Sequence, residues 1–354
     1  MGYVSGSRDA GGSPRRTHPQ PTVGHIGGPV AVVVAIALWL VLGAAGARAE
    51  QALRLGFALA QGSPHDTFAE TFREELGRLT AGSLQVENYC CFKLGGDQEL
   101  VRKLQLGTLD ATIVAQNNVG PFFPKIDLLS LPYILRDHEH AVRVLDGPVG
   151  QQLWGDMPEV AGVHVITIAY IAFRHIFNTQ RPIATQADFE QLKYRVPRNA
   201  VMVDTYKAFG ADPVPLAWSE TLTAVQTGTV DGGDLPVDVI YSQRFHEVAK
   251  HLALTGHFAM TPAFLVSDRF MRGLSASEHT AVYAAARVAA AAARAQVTSR
   301  EATILDVLAS DHGVGITRPD KTPFIAAAST VKQTFAAQRG SEYDALIKAI
   351  HDVE

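Results

Sequence analysis

Apolar and polar positions alternate at Leu53, Leu55 and Phe57, the period of a half-buried strand. Ser63-Pro64 follows as a helix N-cap with proline at the first helical position. Phe68, Phe72, Leu76 and Leu79 then recur at helical spacing, and Gly82 closes the helix. Gly162–Tyr170 and Lys193–Val196 return to a strand pattern, and Asn199–Phe209 reads as a helix ended by Gly210. This alternation predicts an α/β fold with mostly parallel sheets.

One element occurs twice. Gln105-Leu106-Gly107-Thr108-Leu109-Asp110-Ala111 matches Gln226-Thr227-Gly228-Thr229-Val230-Asp231-Gly232, and each copy reads as a helix ending at glycine with a strand after the aspartate. Two lobes carrying the same supersecondary unit are expected from this. In open parallel sheets ligands bind beyond the carboxyl ends of strands, here Gln116-Asn117-Asn118 and Asp234-Leu235-Pro236. Such loops facing each other describe a hinged cleft. Past Ser277 the chain is alanine-rich, and a helix over 277–308 would run about 30 Å or more, long enough to lie across both lobes. Val331–Ile350 reads as helical too.

The N-terminus has a different character. A polar segment with Arg8, Arg15 and Arg16 precedes the apolar run Val30–Ala45 and an Ala47-Arg48-Ala49 site, the three parts of a secretory signal peptide spanning 1–49. The competing reading is a retained anchor. Removal would leave a more acidic chain, since the leader carries four arginines against Asp9. The expected compartment is the periplasm. Lobe I is assigned to 50–172 with part of 262–300, and lobe II to 173–261 with part of 301–354.

Composition narrows the chemistry. Of 354 residues, 47% are hydrophobic and 19% charged, which supplies ordinary globular cores, and a net charge of −4 argues against a nucleic-acid partner. The only cysteines are the adjacent Cys90 and Cys91, read either as two buried thiols or as a vicinal disulfide. His246 and His251 stand five apart, off the four-residue spacing that puts two zinc ligands on one helix face. Asp137-His138-Glu139-His140 looks like a capped helix start. No nucleophile elbow, phosphate loop or dinucleotide fingerprint is present in the sequence.

Two arginines stand out, Arg174 in Phe173-Arg174-His175 just after the strand ending at Tyr170, and Arg195 in Tyr194-Arg195-Val196-Pro197, a strand-like segment with apolar neighbours. A buried guanidinium needs an anion, and its planar fork fits a carboxylate. That anion is either a ligand or an internal Asp or Glu.

With these segments the chain resembles the periplasmic solute-binding subunits of TRAP transporters, the DctP-type family, from about Leu53 to Ile350. The matching stretches in order are Leu94-Gly95-Gly96-Asp97-Gln98-Glu99, Gly107-Thr108-Leu109-Asp110, Leu131-Pro132-Tyr133, Phe173-Arg174, Tyr194-Arg195-Val196-Pro197, Gly210-Ala211-Asp212-Pro213, Trp218-Ser219-Glu220 and Gln226-Thr227-Gly228-Thr229-Val230-Asp231-Gly232. The resemblance implies a two-lobed Venus-flytrap fold spanned by a long helix. It implies capture of a mono- or dicarboxylate and delivery to a permease with a small and a large integral membrane subunit. It also implies a monomer without enzymatic activity or cofactor. Arg195 matches the family's carboxylate clamp and Arg174 its assistant, although Ala172 stands where the family has glycine. Trp218 falls at a pocket aromatic and Gln116 at a polar ligand contact, while His65 lies in the first strand-to-helix loop. Leu235 replaces the asparagine of sialic-acid binders, which favours a ligand smaller or less polar than a sugar acid. Some relatives bridge their ligand through a metal ion, and Asp234 is the candidate for that here. The rival functions are a periplasmic enzyme acting on an organic acid and a ligand-sensing subunit for a membrane receptor.

Overall fold

A computed structural model describes residues 51–354; the leader assigned to 1–49 lies outside them. Eleven strands form two sheets: β1 Gln51–Phe57, β2 Leu84–Tyr89, β3 Ala111–Ala115, β4 Val163–Ile168 and β10 Pro262–Ser267 in the first. The second holds β5 Ala172–Asn178, β6 Lys193–Val196, β7 Asp212–Pro215, β8 Gly232–Leu235, β9 His251–Met260 and β11 Gly315–Thr317. The principal helices are α1 Pro64–Leu79, α2 Asp97–Gln105, α3 Ala200–Ala208, α4 Thr221–Gln226, α5 Ala276–Ser310, α6 Thr322–Arg339 and α7 Ser341–His351. Side chains alternate across each sheet, so that Ala263 and Leu265 enter one core cluster and Phe264 and Val266 another. The second sheet divides Ile176 and Phe177 in the same way.

Strand order is β2-β1-β3-β10-β4 in the first sheet and β11-β9-β5-β8-β6-β7 in the second. Two of the four pairings in the first sheet are parallel and three of the five in the second, so the mostly parallel expectation holds for the second sheet and half holds for the first. β10 runs antiparallel to β3 and β4, and β5 runs antiparallel to β8 and β9. The cause lies in two direct crossings between sheets. Ala169-Tyr170-Ile171 carries β4 into β5, and Thr261 alone carries β9 back into β10. Connections this short leave no room for the helical crossover that a parallel partner needs. The crossings pair with each other, Ala169 N–H to Pro262 O and Ile171 N–H to Met260 O, both 3.0 Å, and make a two-strand connection between the sheets.

The repeated element is structurally equivalent in its two copies. Gly107 (φ 64°) and Gly228 (φ 70°) both take the left-handed conformation that ends a helix with least strain in glycine. Asp110 then accepts from the Arg54 N–H of β1 at 3.0 Å, and Asp231 from the Lys193 N–H of β6 at 2.8 Å. In each case the aspartate pins its strand to a parallel neighbour, Leu55 beside Ala111 and Tyr194 beside Gly232. The copies differ at one position for a steric reason. A Cβ on Gly232 would lie 2.0 Å from the Phe177 carbonyl oxygen, whereas Ala111 is accommodated. Gly232→Ala is therefore expected to destabilise the protein by about 1–3 kcal/mol, read from denaturant unfolding, because backbone has to move. An unchanged midpoint would show that β5 yields.

α5 has 35 residues and starts in a capping box of Ser275 and Glu278. Ala285, Ala286, Ala289 and Ala293 bury against α1, where small side chains let the helices approach, and Ile304 and Leu308 join the core of the second sheet. One helix therefore braces both lobes. The C-terminal stretch is two helices rather than one, broken at Gly340 (φ 93°). Leu346 and Ile350 of α7 pack into the first sheet's core, while Phe324 and Ala328 of α6 pack into the second's.

Candidate functional site

The loops after β1, β3, β6 and β8 converge on a cavity between the sheets of about 40 Å³, which is room for roughly three waters. Its walls include Leu59, His65, Asp97, Asn117, Asn118, Arg174, Arg195, Trp218, Leu235 and Met260. It shares Asp97, Asn118 and Trp218 with an adjoining pocket of about 240 Å³ that Phe92, Glu99, Arg102 and Arg198 also line. These are the carboxyl ends of parallel strands in both sheets, as the repeat implies. Asn199, the N-cap of α3, donates to Asn117 O (3.1 Å) and Asp127 Oδ1 (2.7 Å), tying the second lobe to the first beside the cavity.

Arg195 lies inside β6 and is 5% exposed. Its Nε and Nη2 donate to the Leu216 carbonyl at 3.2 and 3.0 Å, and its guanidinium lies 5.8 Å from the Trp218 ring centre. Among the described residues no carboxylate forms an ion pair with it. Burial, then the charge of Arg174, push it down to about 10, which keeps it a cation at neutral pH. With the side edge of the fork held by Leu216, the end formed by Nη1 and Nη2 is the one offered to an anion.

Arg174 differs. Its Nε and Nη2 grip the Asp234 carboxylate at 2.6 and 3.2 Å, and Nη2 also donates to the Asp234 carbonyl at 2.7 Å. Burial works against its charge, yet Asp234 holds Arg174 above its ordinary value. Burial also opposes the Asp234 charge, but Arg174 and His257, whose Nε2 is 3.5 Å away, leave that carboxyl far below the usual range. Of the two alternatives for a buried arginine, the internal acidic partner is the one found at Arg174. Arg174 lines the cavity with its charge already neutralised, and Asp234 is surrounded by cationic and imidazole groups instead of an open coordination sphere. Among the described residues no group of three or more His, Cys, Asp or Glu is arranged to hold a metal ion.

His65 sits in the first turn of α1, 3% exposed, and neither ring nitrogen has a protein partner. Burial pushes it down to about 3, so the ring is neutral, with one donor and one acceptor. Leu235 ends β8 in the cavity wall and Trp218 closes its side. Gln116 is not in the wall. Its amide donates to Ser130 Oγ at 3.1 Å, and its neighbours Ala115 and Asn117 take the place expected for it. The sequence reading missed Asp97, which begins α2 and accepts from Asn118 Nδ2 at 2.7 Å. The signal available was Leu94-Gly95-Gly96-Asp97, a polar residue opening a helix after β2.

Other candidates fall elsewhere. His246 lies in a turn, its ring 4.3 Å from that of His312, while His251 starts β9. Asp137 caps the helix His138–Asp146 by accepting from the His140 N–H. Cys90 and Cys91 are bonded to each other, and Cys91 is exposed, so the buried-thiol alternative is set aside.

Residues 55–339 match the DctP family, bacterial extracellular solute-binding protein, family 7. A solute-binding protein of Verminephrobacter eiseniae is 35% identical over 294 residues, 83% of this chain and 88% of that one. The 2,3-diketo-L-gulonate-binding periplasmic protein of Escherichia coli is 30% identical over 308 residues, 86% of this chain and 93% of its own. A TRAP periplasmic solute-binding protein of Polaromonas, solved bound to D-erythronate, superposes with a TM-score of 0.82 at 34% identity, covering 86% of this chain and 99% of that one.

Proposed function

The chain belongs to the DctP family of bacterial extracellular solute-binding proteins, and from that premise we propose that it captures a small hydroxylated organic acid through Arg195 and delivers it to a TRAP permease. The observation that carries the reading is a buried guanidinium, facing a cavity, with no ion-pair partner among the described residues. A charge left so is unfavourable until a carboxylate arrives, and the interaction gains strength where water is excluded. Trp218 and Leu235 supply apolar walls, and His65 offers hydrogen bonds to the far end of the ligand. Relatives that bind 2,3-diketo-L-gulonate and D-erythronate support a hydroxylated acid, and Leu235 favours a short one. Walls drawn from both sheets are complete only when the hinge is closed, so ligand shifts the population toward the closed form. Export into the periplasm through residues 1–49 and docking as a monomer on two integral membrane subunits complete the reading.

A thermal-shift screen of the mature protein tests it, run against organic acids and their uncharged lactones or alcohols, with and without Ca²⁺ or Na⁺. A bound acid at 100 times its Kd is expected to stabilise the fold by about 2.7 kcal/mol. Lactones that shift the protein as much as acids would remove the carboxylate from the mechanism. The recovered ligand is expected to be chemically unchanged by nuclear magnetic resonance, which separates a receptor from an enzyme.

A further inference from the structure

We infer that Asp97 makes this site selective for acids with one carboxylate and uncharged hydroxyls beyond it, rejecting ligands that carry a second carboxylate. The inference rests on the Arg195 reading above.

The charges along the cavity carry it. Arg174 and Asp234 cancel, which leaves Arg195 as the one cation in the wall without an internal partner among the described residues. A first carboxylate uses that cation. The same wall holds His65, neutral and unpartnered, and Asp97, which also lines the adjoining pocket. Asn118 occupies Asp97 Oδ2, which leaves Oδ1 to accept from a ligand hydroxyl. Hydroxyls both donate and accept, so they satisfy an imidazole and a carboxylate together. A second carboxylate can only accept, and it would meet Asp97 at close range. The adjoining pocket offers only a weak counter-charge: Arg198 is exposed and paired with Glu220 at 3.3 Å, and Arg102, beside the Phe122 ring, is exposed to solvent that screens it. Glu99 there is likewise paired, with Lys103 at 2.8 Å, and so adds no net charge. Burial pushes the Asp97 carboxyl up to about 6 while Arg195 opposes the rise, so it carries its charge above that pH.

The test uses matched pairs that differ only in the terminal carbon: D-erythronate against meso-tartrate, and D-galactonate against galactarate. Affinities are measured by calorimetry at pH 7.5 for the wild type, Asp97→Asn and Asp97→Ser, two variants so that one folding failure does not decide the matter. The wild type is expected to prefer a monoacid over its diacid by about tenfold or more, since like charges brought together across a site cost several kcal/mol. The folded variants are expected to bind the diacid at least about tenfold tighter than the wild type does, and the monoacid more weakly, as the hydroxyl exchanges a charged acceptor for a neutral one. Equal wild-type affinity within a pair, or no gain in diacid binding by either variant, overturns the inference and leaves the Arg195 clamp standing. If the wild type binds neither monoacid, the proposed function falls and the inference with it.

Discussion

Asp234→Ala is expected to be the most destabilising change at the site while sparing carboxylate binding. The substitution strands Arg174, whose side chain is 6% exposed, with Met260 Sδ, 3.9 Å from Nη1, as the side-chain hydrogen-bond contact left among the described residues. A guanidinium cannot shed its proton to escape, so the charge stays buried without compensation, and breaking such a pair from one side costs about 3–5 kcal/mol. In a chain of this size that lowers the Tm by roughly 5–10 °C. Replacing both partners, Arg174→Met with Asp234→Leu, is expected to recover most of the loss, because apolar groups of similar volume need no pairing. The pH dependence has a definite sign. The folded-state value of Asp234 is depressed, so its contribution is complete above the ordinary carboxylate range and drains away only as the pH falls into strong acid. The same variant separates two roles for Asp234. As the structural partner of Arg174 it can be removed with binding retained, since Arg174 then offers the cavity a second free cation. As a metal bridge it could not be removed without loss of binding. A folded Asp234→Ala protein that has lost all affinity for acids would refute the structural assignment.

Short-range signals were legible in the sequence and long-range ones were not, and the site shows why. The cap at Ser63-Pro64, the strand Lys193–Val196 and the helix from Asn199 each depend on a few neighbouring residues, and each forms where the pattern places it. The repeat was legible because its glycine and aspartate perform the same local work in both copies, ending a helix and pinning a strand. By contrast, the antiparallel strands follow from chain crossings at 169–171 and Thr261, where no local pattern marks a change of sheet. Arg174 and Arg195 have equally apolar neighbours, and periodicity cannot distinguish them. What separates them is Asp234, 60 residues along the chain, which reaches one and not the other. Gln116 shows the same limit, since a polar residue at a strand end is as well satisfied by Ser130 as by a ligand.

Arg195→Ala and Arg195→Lys are expected to weaken acid binding by about 100-fold or more, because truncating one side of a buried charged contact costs about 2–5 kcal/mol. Lysine keeps the charge but presents a point donor where the site holds a fork fixed against the Leu216 carbonyl, so it should not rescue. Loss of affinity alone would not distinguish a ligand clamp from a residue needed for folding. The decisive reading is the stability of the ligand-free protein. Arg195 has no ion-pair partner among the described residues, and burial disfavours its charge strongly enough to pull it to about 10. An apolar replacement of similar length therefore removes an unfavourable group, and ligand-free Arg195→Met is expected to melt no lower than the wild type, and higher if Leu216 O finds water. A structural arginine behaves in the opposite way and lowers the melting point when removed. The two variants at Arg195 and Asp234 thus move stability and binding in opposite directions, although both positions lie in one cavity. If Arg195→Met lost stability as Asp234→Ala does, the unpaired guanidinium would be a structural element and the carboxylate clamp would have to be sought elsewhere.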